Sequence, residues 1–500
     1  MNLLAVDAGT THCKAGLFSE TGELLALALR PTPQRKTGTI ISYDPDELWQ
    51  QIVAAISEIT VACAPRQIAA LGLSSMAETG LLLSRDDGSI RTAFLPWFDT
   101  RTVPQAEQLA RATDVGTRFL RTGMRPTFKC ATARLLWLRA QNATFVQNSI
   151  WLSVADYLAY RLSGAVATDY SLAGRTYAFL LGERRWDVDW MREWELDPEL
   201  FPPAMPAGAV VGHVTTGVAR ALGVASGIPV TIAGHDHVCA AFAAGAVRPG
   251  IAFDSMGTAE TLVGALPARQ LDGDDFNSGF TFGYHAVPDT YYWMGGLSTS
   301  GGSVEWLRHS WSDPPLSYEA LQALVDELPP QPTGILFFPY LAGSGAPHRD
   351  DQMRGAFAGL HQDHGRAHLI KAVLEGTAYE MEWIRRAAGR LRGADIDHIV
   401  VAGGGARNRH WLQIKADISD RPLTVMPMIE AALLGAALLA GLAAGVYGTV
   451  AEALALLHVE PGVAISPDPT RHRVYRRLFE EGYCALQETL QRIATTLVGE

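Results

Sequence analysis

Positive charge and paired cysteine are what this 500-residue chain has least of, and each scarcity excludes something. Lys and Arg number 41 against 52 Asp and Glu, a net charge of −11, with no block of like charges. A phosphate backbone needs a basic surface, so nucleic acid is not expected as a partner. Nucleotides are not excluded, because backbone N–H groups, helix N-termini and a metal ion can hold them inside an acidic protein. The five cysteines, Cys13, Cys63, Cys130, Cys239 and Cys484, are odd in number and widely spaced. None forms a C-x-x-C pair, so neither a zinc site nor a disulfide framework is indicated, and a reducing cytoplasm is the expected compartment. Long apolar runs are missing too. The N-terminus has no basic segment followed by an apolar stretch, so no secretory leader is expected. Residues 431–446 (AALLGAALLAGLAAGV) are uncharged, but a helix of that length spans only about 24 Å of a roughly 30 Å hydrocarbon core. Their alanines and glycines predict a helix packed closely inside the protein, with no membrane as partner.

What is present describes a well-packed globular chain, 48% hydrophobic and 19% charged. It is too long for one core, so at least two domains are expected. Strand-like runs at 68–74 and 229–233 alternate with helix-like segments at 45–60, 102–112 and 133–141. That alternation predicts an α/β fold with a mostly parallel sheet. The Pro-Gly pair in residues 246–250 marks the best boundary, giving domains 1–246 and 247–500. Within the second, residues 447–500 read as a helical extension that packs back on the body, with 462–470 a linker and 471–497 a final helix.

The most informative stretch is residues 3–18, LLAVDAGTTHCKAGLF. An apolar strand ends on Asp7, a tight turn of small residues follows, and a second apolar strand returns. Such a hairpin tip exposes backbone N–H groups and hydroxyls that can hold phosphate oxygens. A carboxylate at its base can hold Mg2+, commonly through water. An ordinary hairpin would look the same. Residues 250–266 (GIAFDSMGTAETLVGAL) repeat the signal, with Gly257 and Thr258 echoing Gly9 and Thr10. Two such hairpins, one opening each half, suggest two related domains facing each other across a cleft.

Three further constellations carry chemistry. Residues 399–417 run a buried strand into Gly403, Gly404 and Gly405, then through a polar pair into a helix. Consecutive glycines let backbone lie against a ring or phosphate, and a helix N-terminus adds a positive dipole end. The spacing is not G-x-G-x-x-G, which argues against a dinucleotide. Asp236 follows the strand at 229–233, where a carboxylate can take a proton from a substrate hydroxyl, or else cap the helix that follows. His235 and His237 flank it, but alternate residues of a strand end point apart, which disfavours a histidine metal site. Met76, Ala77 and Glu78 lie at one strand end, and Trp97, Asp99 and Arg101 follow a proline. An aromatic face with carboxylates and Arg is how sugars are held. A packed Trp beside a surface ion pair is the plainer alternative.

Assembled, these residues resemble the FGGY carbohydrate kinases, part of the sugar kinase, actin and heat-shock chaperone superfamily. The resemblance covers nearly the whole chain. Its most specific element is residues 355–375, where Gly355, Phe357, Gly359, Leu360, His368, Leu369 and residues 372–375 fit the family's C-terminal signature. Asp156, Tyr157, residues 162–164 and Asp169 resemble its N-terminal pattern. The resemblance implies two ribonuclease H-like domains around a cleft that takes ATP, Mg2+ and a small sugar. By it, Asp7 and Asp236 are the magnesium-associated carboxylates, and Asp236 is the general base. Gly9, Thr10, Thr11 and Lys14 form the first phosphate hairpin, and Gly257 and Thr258 the second. Gly403, Gly404, Gly405 and Asn408 lie on the adenosine side, with Gly301 and Gly302 as further candidates. Met76, Ala77, Glu78, Trp97, Asp99, Arg101 and His237 fall where the family binds its acceptor.

Length and layout resemble xylulokinases, so a ketopentose such as D-xylulose is the first expectation. Ribulose, a deoxyketose, gluconate, glycerol and erythritol are alternatives, because residues 76–78 and His237 depart from the xylulokinase pattern. Glu78 would repel the carboxylate of gluconate unless a cation intervened. The superfamily fold also serves ATP-switched proteins that phosphorylate nothing. A homodimer is compatible with the resemblance.

Overall fold

The computed structural model describes residues 1–61, 67–394, 396–427, 430–455 and 462–498. Cys63 lies outside the described residues, and Cys13, Cys130, Cys239 and Cys484 are free thiols. Six strands form the N-terminal sheet: β1 (Asn2–Ala8), β2 (His12–Ser19), β3 (Leu24–Pro31), β4 (Ile68–Ser75), β5 (Val210–His213) and β6 (Pro229–His235). Their order is β5-β6-β4-β1-β2-β3. Seven more form the C-terminal sheet: β7 (Gly250–Met256), β8 (Glu260–Pro267), β9 (Thr281–Tyr284), β10 (Thr290–Leu297), β11 (Ile396–Ala402), β12 (Leu423–Val425) and β13 (Val463–Ile465). Their order is β9-β10-β8-β7-β11-β12-β13.

The two sheets share one wiring. In each, a hairpin leads (β1–β2, β7–β8), and its first strand pairs in parallel with a later one (β4, β11). The next strand outward (β6, β12) is again parallel, and an antiparallel edge (β5, β13) closes the sheet. The repeated Gly-Thr signal is therefore the visible trace of a repeated domain. Residues 255–258 read in sequence as a Ser-Met-Gly-Thr turn, but Ser255 and Met256 belong to β7, so the turn begins at Gly257. The stretch taken as a linker contains β13, whose backbone pairs with β12. The final helix is also interrupted. Pro469–Arg477 and Gln487–Val498 are α-helical, but Leu478–Tyr483 is a π-helical segment between them.

Helices cover the sheets where the sequence period places apolar faces. Helix α1 (Pro45–Thr60) starts on Asp44, whose carboxylate accepts from the N–H groups of Asp46 and Glu47. Proline at its first turn needs no donor there, and Leu48, Ile52, Ala55, Ile56 and Ile59 turn to the core. Helix α2 (Asp236–Ala243) follows β6 directly. The alanine- and glycine-rich segment forms α3 (Ala431–Ala443), which packs on β1, β4 and β6 and against α2. A helix of the second half therefore covers the sheet of the first. Small residues permit this. A Cβ on Gly435 would lie 2.0 Å from the Cys239 carbonyl oxygen, and one on Gly72 would lie 2.2 Å from that of Ala436. Among the described residues, no helix is long and apolar enough to cross a membrane.

At the far side, the C-terminal helices return onto a long helix at Arg366–Ala388. Glu380 on that helix is buried and accepts hydrogen bonds from Tyr340 (2.9 Å) and Tyr483 (2.7 Å). Burial pushes the Glu380 carboxyl up to about 7, despite those two hydroxyls.

Gly435→Ala is expected to lower stability by at least about 1–3 kcal/mol, because the added methyl meets backbone rather than a movable side chain. Thermal unfolding checks this, and a wild-type melting temperature would contradict the close approach. Glu380 supplies a second test. Its raised pKa gives stability that is full below the unfolded value of 4.5 and is lost as pH rises through about 7. Glu380→Gln should therefore reduce the fall in Tm between about pH 5 and about pH 8.

Candidate active site

The strand register brings the first charges together. In the β1–β2 hairpin Asp7 sits opposite Lys14, and in the parallel pair with β4 it sits beside Ser74. Ser74 Oγ donates to Asp7 Oδ1 at 2.7 Å, and Lys14 Nζ lies 3.9 Å from Asp7 Oδ2. Lys14 makes its closer pair, 2.5 Å, with Glu430 immediately before α3. Burial pushes the Asp7 carboxyl up to about 6, with Asp236 adding to the rise and Lys14 and Ser74 opposing it. Negative charge is thus in surplus here, and a divalent cation held by Asp7 and Asp236 fits that donor set.

Asp236 is brought to the same place by a distorted strand end. The pairing of β6 with β4 shifts register between Ile232 and Gly234. Gly234 adopts φ +110, and a Cβ there would lie 2.3 Å from Ser171 Oγ and 2.7 Å from Asp169 Oδ2. Only glycine fits both the conformation and the space. Asp169 and Ser171 brace this turn from behind: Ser171 Oγ donates to Asp169 Oδ1 (3.0 Å) and accepts from the His235 N–H (2.9 Å). The helix cap is His235, so Asp236 occupies the first helical position and is not the capping residue. Its Oδ1 accepts from the His237 N–H at 2.7 Å and lies 3.2 Å from His235 Nε2. Burial would raise Asp236, but His237 and His235 overturn it and hold the carboxylate at about 2. The flanking histidines do not point apart as a continuing strand would make them. Strand gives way to helix between them, so their rings stand 5.3 Å apart, and ligating atoms of all three residues lie within 4.8 Å of one another.

At the first hairpin tip, the Gly9 N–H donates to the His12 carbonyl, leaving Thr10 half-buried and Thr11 exposed. Thr10 Oγ1 accepts from Trp97 Nε1 at 2.8 Å, which ties the hairpin to the loop at Trp97. The second tip, Gly257 and Thr258, is exposed. The Gly301 and Gly302 N–H groups donate to the Gly257 and Thr258 carbonyls, so those two glycines seat a helix (Gly301–Ser310) on that hairpin. Gly403 packs on Met256, and Gly405 on Trp411 and Met256, while the space beside Gly404 is open. As expected, polar residues separate these glycines from the helix. A 3-10 turn (Gly404–Arg407) intervenes, and Asn408 caps the helix at Arg409–Ser419 by accepting from the His410 and Trp411 N–H groups. Those donors are therefore already satisfied.

The acceptor-side residues divide. Met76 and Ala77 are buried, and Glu78 adopts φ +60. Arg175 grips Glu78 through Nε (2.9 Å) and Nη2. Burial would raise Glu78, but Arg175 first, then Lys129 and His235, bring it down to about 2. Trp97 is held by Thr79 and Thr10. Asp99 and Arg101 are chelated to each other, and Arg101 also lies over Trp137, 4.6 Å from its ring centroid. That pair is closer to the plain ion-pair alternative than to a free sugar grip.

Arg175, Lys129, Arg134 and Glu430 were not singled out as site residues by sequence reasoning, and a lone basic or acidic residue gives no local pattern. The same holds for a buried set behind the second hairpin. Lys415 Nζ lies 2.9 Å from Asp254 Oδ2 and also bonds Glu260, which in turn accepts from Ser300. Burial and Asp254 push Glu260 up to about 8, against Lys415. This set links the hairpin, the helix after the glycine turn and the start of the Gly301–Ser310 helix.

Comparison with known proteins places this geometry. The N-terminal domain of the FGGY family of carbohydrate kinases matches residues 2–243, and its C-terminal domain matches residues 252–444. A xylulose kinase of Bacillus subtilis is 27% identical over 96% of this chain and 95% of its own length. A glycerol kinase of Citrifermentans bemidjiense is 31% identical (90% and 92%), and a gluconokinase of Bacillus subtilis 25% (89% and 87%). Among solved structures, a xylulose kinase from Rhodospirillum rubrum superposes with TM-score 0.89 at 27% identity, covering 99% of this chain and 100% of that one. Plasmodium falciparum glycerol kinase with ADP superposes at 0.87 and 19% identity, covering 97% and 98%. With both domains of the family matched in order along two like-wired sheets, the chain belongs to the FGGY family of carbohydrate kinases.

Proposed function

We propose that the protein transfers the γ-phosphoryl group of ATP to a hydroxyl of a small polyhydroxylated acceptor, with Asp236 as general base. The observation that carries this reading is the placement of Asp236. It follows the C-terminal end of a central strand, ionised at neutral pH, beside the Asp7 hairpin, and its flanking histidines lie within electrostatic reach of Glu78. The acceptor lies against Met76, Ala77, Glu78, Trp97 and His237. The phosphates lie between the tips at Gly9–Thr11 and Gly257–Thr258, and the adenosine end lies along Gly403–Gly405.

The chemistry asks little of Asp236 as a strong base. Phosphoryl transfer is loose, so the hydroxyl proton leaves late and position counts for more than basicity. Asp236 Oδ1 is already fixed by the His237 N–H and by His235, which leaves Oδ2 to take the proton. The acceptor oxygen bonds the γ-phosphorus as the bond to the β-bridging oxygen breaks. Asp7 and Asp236 would hold the Mg2+ carried with the nucleotide, which would supply charge neutralisation at the phosphate oxygens. Hairpin N–H groups add fixed donors for the same oxygens. Closing the cleft around both substrates excludes water as a competing acceptor.

The relatives named for xylulose, glycerol and gluconate lie at similar identity, so the acceptor is decided by pocket residues rather than by kinship. A ketopentose such as D-xylulose is the reading that the xylulose kinase relatives favour.

Asp236→Asn should fold normally and lower kcat by about 10²–10⁴-fold, measured as acceptor-dependent ADP release. Near-normal turnover would remove Asp236 from the mechanism. Lys415→Met leaves Asp254 and Glu260 buried without their cation, and should cost about 3–5 kcal/mol of stability. It should also raise the KM for ATP more than the KM for the acceptor, and equal changes in both would separate this set from the nucleotide side.

A further inference from the structure

A buried contact between the two halves of the chain bears on the acceptor pocket. Glu78 is a non-glycine residue at φ +60, a costly backbone conformation that persists only where its surroundings fix it. Arg175 fixes its side chain, through Nε (2.9 Å) and Nη2. Arg175 itself sits in a 3-10 turn (Gly174–Thr176), and its third nitrogen, Nη1, is buried with no hydrogen-bond partner among the described residues. The Tyr292 hydroxyl is likewise buried and unpartnered. The two groups act on each other at close range without being aligned for a hydrogen bond. Burial pushes the Tyr292 phenol above its usual value, with Arg175 opposing and Glu78 and Asp169 adding, so the hydroxyl stays protonated and neutral.

Tyr292 belongs to the second sheet. It lies on β10, opposite Gly283 of β9 and Ala265 of β8. A Cβ at Gly283 would stand 2.5 Å from the Tyr292 hydroxyl, so glycine there leaves room for the phenol to lie across β9. Strand β9 docks on the first half of the chain. Its Phe282 N–H donates to the Gly123 carbonyl (2.9 Å), and its Tyr284 hydroxyl to the Leu181 carbonyl (2.8 Å). Strand β10 also pairs along its length with β8, the second strand of the Gly257–Thr258 hairpin. One strand pair thus joins a phosphate tip to the residue that faces Arg175. Two buried polar groups left short of a bond cost free energy, and a slightly closer approach recovers it. We propose that Tyr292 is a positioning residue: its hydroxyl completes the Arg175 guanidinium when the nucleotide-side sheet seats, and Arg175 then fixes Glu78 for the acceptor, so that nucleotide and acceptor bind cooperatively. This rests on the kinase reading above.

The test uses the intact enzyme, with the acceptor taken from a panel of ketoses, aldoses, polyols and sugar acids by ADP release from Mg-ATP. Tyr292→Phe keeps the ring over Gly283 and removes only the hydroxyl, so its melting curve should match the wild type. The acceptor KM should rise about tenfold, the effect of one hydrogen bond to a charged group, while kcat changes less than about twofold. Calorimetric titration of the acceptor, with and without a Mg-bound non-hydrolysable ATP analogue, reads the coupling. The analogue should tighten acceptor binding about fivefold or more in the wild type, and less than about twofold in Tyr292→Phe. Adding Tyr292→Phe to Arg175→Lys should raise the acceptor KM little further, because both changes break the same chain of contacts. An unchanged KM in Tyr292→Phe, a coupling that is absent from the wild type or equal in both proteins, or fully additive losses in the double variant each overturn the assignment and leave the kinase standing. So does a lowered melting temperature with equal losses in KM and kcat, which makes Tyr292 a packing residue. No acceptor-dependent ADP release from any compound overturns the kinase reading itself.

Discussion

The charge balance at the first hairpin depends on a residue from the other end of the chain. Lys14 lies between Asp7, its cross-strand neighbour, and Glu430, which arrives only because α3 crosses onto the N-terminal sheet. That crossing requires two backbones to approach within the reach of a Cβ, at Gly435 and at Gly72. Close packing of an alanine–glycine helix thus sets the electrostatics of a carboxylate far away in sequence. The distribution of charge follows: Asp7, Asp236 and Glu430 outweigh Lys14 around this hairpin.

Each half of the cleft is stiffened from behind by buried polar groups rather than by apolar packing alone. Asp169 and Ser171 hold the Gly234 turn that aims Asp236. Lys415, Glu260 and Ser300 hold the second hairpin to the two helices beside it. Arg134 gathers the carbonyls of the Trp97 loop and of Lys129. Such networks have value only when nearly complete, which is why single truncations in them are costly.

The sequence made the repeated hairpins, the α/β alternation and the buried nature of α3 legible, because glycine, periodicity and length carry those signals locally. The expected mostly parallel sheet is not what forms: each sheet has a parallel centre of two strand pairs, and its hairpins and edge make the remaining pairs antiparallel. Asp236 was legible as a strand-end carboxylate. Its orientation was not, since a register shift and a positive φ at Gly234 are settled by packing against Asp169 and Ser171. The same limit explains why the flanking histidines converge instead of diverging. Arg175 and Lys129 are separated from Glu78 by 97 and 51 residues, and nothing near either marks a partner. Charge compensation across such distances is a property of the fold, and it removes the weight that Glu78 alone would place against an anionic acceptor.

The return of α3 to the first sheet also has a mechanical meaning. The main chain passes from one sheet to the other between 243 and 250, back between 425 and 431, and across a third time between α3 and β13. A body joined to its neighbour at one point can swing and twist freely, whereas one joined at three is restricted in both. Each crossing narrows the range of positions that the two glycine-threonine tips can take relative to one another.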